Sequence, residues 1–362
     1  MRPGVVSALT LIALVAGSGA ASAAGTEDVT ADEQQFVYEL NLVRRDPAAY
    51  AARVGLADDL ADVLPRPPLA ISGPLSDSSS FHSEEMAAYG YIAHQSAETG
   101  EWPNKMARDH GYPLAELFVD DANYIESIHV GSPILANVLQ SLINSPSHRA
   151  HLLGERSFFG NHREIGVGRS SEGNYWTVHT AYEDTSDVFL TGVVFDDLNG
   201  NGRMDGGEGL GGVTVAAGEL HTATNSGGGW SMRVGDDATY AVTASGGGFS
   251  GTGSAMVQVD GFNVQVDFIS GQGEGVVFAY RLCNGVEPTI VGTAGDDVIH
   301  GLGGDDVIDG GGGNDLICRG GPLPDDPCPV GGTCDPAVTT QGVPDYGLYV
   351  GLFIALVLAA VT

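Results

Sequence analysis

The sequence predicts a multidomain protein in which an α+β domain precedes β structure. Its 362 residues are too many for one ordinary domain. Apolar residues recur at helical spacing in the first half, whereas the 54 glycines concentrate after position 192 and separate short apolar runs. Hydrophobic residues make up 43% of the chain, which is enough for packed cores and atypical of a disordered chain.

The chain is strongly acidic. It has 15 Lys and Arg residues against 46 Asp and Glu residues, which gives a net charge of −31. Such a surface repels phosphate groups, so the composition argues against nucleic acid and against anionic membranes as partners. It favours cations as ligands.

Both ends of the chain carry apolar segments. Residues 1–23 have the features of a secretory signal peptide, with a basic start at Arg2, a short apolar core and a small-residue cleavage site. A membrane anchor is the alternative, but the apolar run is short for a span. Residues 346–362 are almost wholly apolar and follow a short proline motif, so they resemble the sorting tails of bacterial surface proteins. This tail predicts membrane attachment, with a buried terminal helix as the alternative. We therefore expect a secreted or cell-surface protein.

All four cysteines follow residue 280, and the linker at 322–345 contains two of them. An even number of cysteines in an exported chain predicts two disulfides, for which three connectivities are open. The residues are Cys283, Cys318, Cys328 and Cys334.

The first domain, residues 28–185, mixes helix and strand signals. Thr30 and Glu33 form a capping box that begins a helix, and Asp46-Pro47 interrupts it. His82 lies on the apolar face of a second helix and is interpreted as a packing residue. Apolar stripes and alternating runs predict further elements: helices at 76–89 and 134–143, and strands at 164–168 and 175–180.

The same region carries seven short motifs in order. They are Leu40-Asn41-x-x-Arg44-x-x-Pro47, Gly90-Tyr91-x-x-His94-x-Ser96, Gly111-Tyr112, Glu126-Ser127-Ile128, Asn144-Ser145-Pro146-Ser147-His148-Arg149, Glu164-Ile-Gly-Val-Gly168 and Tyr175-Trp176. In this order they resemble the bacterial branch of the CAP superfamily (cysteine-rich secretory, antigen-5 and pathogenesis-related proteins), whose domains are also called SCP domains. The resemblance spans residues 28–185 and implies an α-β-α sandwich.

The resemblance also implies a cavity lined by two His and two Glu. It assigns His94, Glu126 and His148 to that cavity, with His179 as a substitute for the last His. By their chemistry, two imidazoles and a carboxylate could hold Zn²⁺, or could act as general base and acid near neutral pH. A structural hydrogen-bond cluster is the third interpretation.

The second domain, residues 187–281, contains the most specific short motif. Oxygen-bearing side chains stand at positions 1, 3, 5, 9 and 12 of a twelve-residue loop, with Gly at position 6 and a backbone carbonyl at position 7. An EF-hand binds Ca²⁺ with this spacing. The predicted ligands are Asp197, Asn199, Asn201, the carbonyl of Arg203, Asp205 and Glu208.

Short strand-like runs with Gly-rich turns, rather than helices, surround this loop, and they predict a β-sandwich. The region resembles the calcium-binding B-repeat-like sandwich domains of bacterial adhesins. That resemblance implies a rigid spacer or an adhesive module.

The third region, residues 288–321, contains three nonapeptides in register. Asp297, Asp306 and Asp315 recur at nine-residue spacing, and isoleucines recur in the same way. The pattern resembles the RTX, or hemolysin-type, repeat, which implies a short parallel β-roll with Ca²⁺ between its turns. A Gly-rich disordered linker is the alternative, and it is also the state that we expect without calcium.

These features together predict a secreted or surface-tethered protein that is stabilised by calcium and is not an enzyme. Its first domain would bind a lipid or another small apolar ligand, a cell-envelope component or a protein partner. The sequence has no Ser-His-Asp elbow, HExxH helix or Walker loop. The alternative is a metal-dependent hydrolase, a peptidase or an esterase, that uses His94, Glu126 and His148.

Overall fold

The computed structural model describes most of the chain from residue 29 to residue 280 and four short segments after it. The described residues are 29–56, 60, 63–280, 290–291, 298–300, 308–310 and 316–318. Several predictions lie outside them: the signal peptide at 1–23, the linker at 322–345, the apolar tail at 346–362, the side chains of the four cysteines, and Asp297, Asp306 and Asp315. None of the helices that the structure describes is long and apolar enough to cross a membrane.

Helix boundaries in the first unit, residues 29–185, follow local sequence signals. Thr30 forms the predicted capping box, because its hydroxyl accepts the Glu33 N–H and its own N–H donates to the Glu33 carboxylate. Asp46 ends one helix and caps the next, which has Pro47 in its first turn. Gly90 ends the long helix with a left-handed φ of 67°. The helices are α1 Ala31–Arg45, α2 Pro47–Val54, α3 Gly73–Tyr89, α4 Pro103–Asp109, α5 Leu135–Asn144, α6 Pro146–Leu152 and α7 Ser157–Gly160.

A four-stranded sheet lies between these helices. Its strands are β1 Ala70–Ile71, β2 Glu126–Val130, β3 Glu164–Arg169 and β4 Tyr175–Ala181, in the order β1-β3-β4-β2. The β1–β3 pair is parallel and the other two pairs are antiparallel. The predicted strands at 164–168 and 175–180 are β3 and β4, whereas β2 was not predicted.

The two faces of β3 contact different helices. A Cβ atom on Gly166 or Gly168 would lie 2.1 Å from the backbone of α3, so glycine is required for this close approach. The alternate residues, Ile165 and Val167, belong to the hydrophobic cluster that contains Phe36 of α1 and residues of α5. Side chains alternate along a strand, and helices therefore pack on both faces of this sheet.

The second unit, residues 188–280, consists of two four-stranded sheets that share one hydrophobic cluster. One sheet has the order β10-β9-β6-β7 and the other β12-β11-β5-β8, and only β5 and β11 pair in parallel. Trp230, Val215 and Phe268 are fully or almost fully buried in the shared cluster. The strands are β5 Val188–Phe195, β6 Thr214–Ala217, β7 Leu220–Ala223, β8 Gly229–Val234, β9 Ala238–Ser245, β10 Thr252–Val259, β11 Val264–Ile269 and β12 Val276–Ala279.

Buried hydrogen bonds join the two units. The Asn263 amide donates to the carbonyls of Pro68 (3.0 Å) and Arg163 (2.7 Å). The Ser231 hydroxyl donates to the carbonyl of Ile71 at 2.7 Å. The second unit is therefore docked on the first rather than only tethered to it.

The described parts of the repeat region are four short strands, β13 Ile290–Val291, β14 Val298–His300, β15 Ile308–Asp309 and β16 Leu316–Cys318. They pair in parallel, β13 with β15 and β14 with β16. Ile290 lies opposite Ile308, and 308 − 290 = 18 residues, which is two nonapeptides. Each paired strand is thus displaced by two repeats.

Candidate functional site

Glu126 is the first residue of β2, and hydrogen bonds to its backbone fix its position on two sides. In the β2–β4 ladder it lies opposite His179. On the other side, the side-chain oxygen of Asn123 accepts a hydrogen bond from the Glu126 N–H at 2.9 Å. The side-chain NH₂ of Asn123 donates to the backbone carbonyl of Glu126 at 3.3 Å. The carboxylate itself is fully buried.

Three histidines donate hydrogen bonds to this buried carboxylate. The Nδ1 atom of His82 and the Nε2 atom of His179 lie 2.7 and 2.8 Å from Oε2, and the Nδ1 atom of His94 lies 2.7 Å from Oε1. Because an ionised carboxylate can only accept, these ring nitrogens carry the protons. The side chains of His82 and His179 are fully buried, whereas that of His94 is 37% exposed.

The hydrogen bonds decide the ionisation of the cluster. Burial acts to raise the pKa of Glu126, but the hydrogen bonds from His179, His82 and His94 outweigh it and hold the pKa well below its usual range. Burial acts to lower the pKa of His82, but the Glu126 hydrogen bond and charge leave that pKa raised. For His179 burial is the larger effect, and its pKa is lowered. The cluster is therefore anionic at its centre.

The structure brings together three of the four residues predicted for the cavity and adds His82. His148, in the first turn of α6, is only partly buried and has no hydrogen bond to Glu126. Burial lowers the pKa of His148, as do the charges of His94 and His129. His82 is fully buried, as its interpretation as a packing residue requires, and it also bonds Glu126, which the sequence did not predict. Its place on the buried face of α3 was visible in the sequence, and its partner was not.

A second histidine network lies next to the first. His151 bonds the Ser127 hydroxyl through Nδ1 and the Thr180 hydroxyl through Nε2, both at 2.7 Å. The Nδ1 atom of His162 lies 2.6 Å from the same Thr180 hydroxyl. Burial, followed by the charges of His179 and His148, lowers the pKa of His151 to about 3, so this network is neutral. The sequence motifs gave no indication of it.

The residues around Glu126 are not arranged as a zinc site. The ring nitrogens that face Glu126 carry protons and cannot bind a metal, whereas the other nitrogen of a neutral ring keeps its lone pair. Among the described residues, no three His, Cys, Asp or Glu side chains are grouped as a ready-made metal site. The arrangement instead fixes the ring of His94 at the surface through a buried anion.

The twelve-residue loop of the second unit is folded around Asp197. The Asp197 carboxylate accepts the N–H groups of Gly200, Asn201 and Gly202 at 2.9 to 3.0 Å. Gly200 and Gly202 have left-handed φ angles of 75° and 73°, which let the loop turn tightly. An ionised carboxylate has about four lone-pair sites, so Asp197 retains acceptor capacity for a cation.

Two other side chains of the loop bond Asp205, and Glu208 accepts backbone N–H groups. The amides of Asn199 and Asn201 both lie 2.6 Å from Oδ2 of Asp205. The Glu208 carboxylate is nearly buried and accepts the N–H groups of Leu198 and Asp205. This all-oxygen donor set suits Ca²⁺ and not zinc. The three carboxylates do not yet form a closed ligand shell, as the absence of a ready-made metal site in the described part of the chain also indicates.

Comparisons with known proteins give a family-model match in the repeat region and a similar solved structure. No curated protein matches the sequence. A solved structure of an extracellular protein containing an SCP domain, from Bacillus anthracis strain Ames, is similar at 20% identity and a TM-score of 0.30, over 42% of this chain and 40% of that one. The chain thus spans less than half the length of that protein. Residues 289–317 match the family model described as "RTX calcium-binding nonapeptide repeat (4 copies)".

Proposed function

We propose that the protein is an exported, calcium-stabilised binding protein without enzymatic activity. The observation that carries this proposal is the match of residues 289–317 to RTX calcium-binding repeats. The parallel pairing of strands displaced by two nonapeptides supports a short β-roll there. In such a roll, Asp297, Asp306 and Asp315 would hold Ca²⁺ between successive turns.

The loop at 197–208 is the second calcium site of this proposal. Its donors are all oxygen atoms, and its backbone already turns around Asp197. The two sheets around it would form a calcium-binding β-sandwich of the B-repeat-like type. Calcium is scarce inside cells relative to outside, so both sites would fill after export through the signal peptide predicted at 1–23.

The first unit would supply the recognition surface. The network around Glu126 holds His94 in one orientation, and His94 is the only member whose side chain reaches solvent. A fixed, partly exposed imidazole suits the binding of a polar group on a lipid, a cell-envelope component or a protein partner. A metal-dependent hydrolase has less support, because the described residues contain no grouping of three His, Cys, Asp or Glu side chains as a metal site and His148 is not bonded to Glu126.

Calorimetric titration of the full chain with Ca²⁺ tests the proposal. We expect uptake of more than one ion per chain and a higher Tm in calcium than in chelator. Replacing Asp297, Asp306 and Asp315 with Asn should remove part of the uptake, and Glu208→Gln should remove another part. Asp260→Asn, which changes an exposed acid outside both motifs, serves as the control. Identical Tm values in calcium and chelator, with no heat of binding, would refute the proposal.

A separate experiment addresses the first unit. Mass spectrometry of the purified full chain should detect a co-purifying small molecule or lipid, and its amount should fall in His94→Ala. Hydrolysis of a peptide or ester panel that disappears in the same variant would instead support the enzyme.

A further inference from the structure

We infer that α1 of the first unit is part of the calcium loop's architecture, with Tyr38 and Glu39 acting as positioning residues for the loop at Arg203 and Met204. This inference rests on the proposal that the loop binds Ca²⁺. It goes beyond that proposal because it places determinants of calcium affinity outside the loop, in another unit.

Arg203 contributes to the loop through its backbone and to the docking surface through its side chain. Its carbonyl stands at position 7, where a calcium loop uses a backbone oxygen. Its N–H donates to the Asn201 side chain at 2.8 Å. Its guanidinium donates to both oxygens of Glu39, at 2.9 and 3.1 Å. Both bonds come from one nitrogen, Nη2, and this charge-assisted contact fixes the direction of the side chain and limits the rotation of residue 203.

Met204 gives the second point of attachment. Its N–H donates to the Tyr38 hydroxyl at 3.3 Å, and its side chain is 2% exposed. It belongs to a small hydrophobic cluster with Tyr38, Phe195 and Ile269. The cluster combines residues of α1, β5 and β11, so it lies at the junction of the two units.

A third contact continues along the same face of α1. A Cβ atom on Gly206 would lie 3.3 Å from the side-chain oxygen of Gln35. Gln35, Tyr38 and Glu39 are three and four residues apart, and they therefore share one face of the helix. Residues 203–206 of the loop thus lie along this face.

The consequence for calcium follows from preorganisation. A free loop must lose conformational entropy when six or more oxygens gather around one ion. Contacts with α1 have already restricted residues 203–206 before the ion arrives, so less of that cost remains at binding. Linkage requires the reciprocal effect: if docking strengthens calcium binding, calcium strengthens docking by the same factor.

The chain offers a matched pair of variants, because Glu39 binds two arginines. Arg53 of α2 donates to Glu39 at 3.1 Å and does not belong to the loop. Arg203→Gln and Arg53→Gln each remove one charge and one partner of Glu39. Only Arg203→Gln releases the loop while keeping the backbone carbonyl at position 7.

The experiment uses the full chain carrying Asp297→Asn, Asp306→Asn and Asp315→Asn, so that the predicted RTX aspartates do not contribute. Calcium titration by calorimetry should give a Kd about threefold to fivefold weaker in Arg203→Gln, the scale of one partly exposed ion pair. Arg53→Gln should stay within about twofold of the parent, and Arg203→Lys should recover part of the loss. Tm values in chelator would show how much each variant loses without calcium.

The two failures are distinguishable. If the parent with the three replaced aspartates takes up no Ca²⁺, the proposed loop site itself is wrong. If the parent binds Ca²⁺ and Arg203→Gln and Arg53→Gln have equal Kd values, the contacts with α1 are structural only and the inference is overturned.

Discussion

Replacing Glu126 with Gln should destabilise the first unit strongly. Glutamine keeps one acceptor oxygen, but its NH₂ group would face a ring nitrogen that carries a proton. The carboxylate is fully buried and accepts from His82, His94 and His179, so solvent does not screen the loss. Removing one member of a buried charged cluster costs about 3–5 kcal/mol. For a unit of the size of residues 29–185 that corresponds to a Tm lowered by roughly 10 °C.

The measurement is urea and thermal unfolding at pH 7 in saturating calcium, followed by circular dichroism. Glu164→Gln is the matched control, because Glu164 is a second buried glutamate on the same sheet. Burial raises its pKa to about 7, so the wild-type group is already partly neutral at that pH. Glu164→Gln should therefore cost much less than Glu126→Gln. A Glu126→Gln variant within about 1 kcal/mol of wild type would refute the view that an ionised Glu126 organises the cluster.

Two further predictions concern β3. The raised pKa of Glu164 costs the folded state nothing below its ordinary pKa near 4.5, and the cost grows until the pH exceeds about 7. Relative to wild type, Glu164→Gln should gain about 2 kcal/mol between pH 5 and pH 8, and a pH-independent difference would contradict this. Gly168→Ala places a Cβ atom 2.1 Å from the backbone of Ser80, so it should cost about 3 kcal/mol or more by urea unfolding. Gly90→Ala, where space is open and only the left-handed φ matters, should cost about 1 kcal/mol, and equal losses would refute the packing argument.

Helix boundaries that depend on local sequence signals were predicted correctly. The capping box at Thr30, the break at Asp46-Pro47 and the stop at Gly90 each depend on a few neighbouring residues, and each appears in the structure as predicted. β3 and β4 were also predicted, because their side chains alternate over five or more residues. Residues 197–208 form a turning loop between strands, as their spacing and flanks indicated.

Contacts between segments that are distant in the chain could not be predicted from a single sequence. His82 and Glu126 are 44 residues apart, and they meet because α3 packs on the sheet in which β2 pairs with β4. β2 itself gave no alternating pattern, since its first two residues are polar and both are buried. The docking of the two units depends on polar side chains such as Asn263. In the sequence, Asn263 is indistinguishable from an asparagine in an exposed turn.

The alternation of side chains along β4 separates two histidine networks of opposite character. His179 points to the face that carries Glu126 and His82, and the next residue, Thr180, points to the other face and bonds His151. A shift of one residue in the register of β4 would exchange these faces and remove the His179 donor from the buried carboxylate. The register is therefore fixed by charge as well as by apolar packing. Burial, together with the charge of His179, lowers the pKa of His151, so the network on that face is neutral although the Glu126 carboxylate lies on the other face.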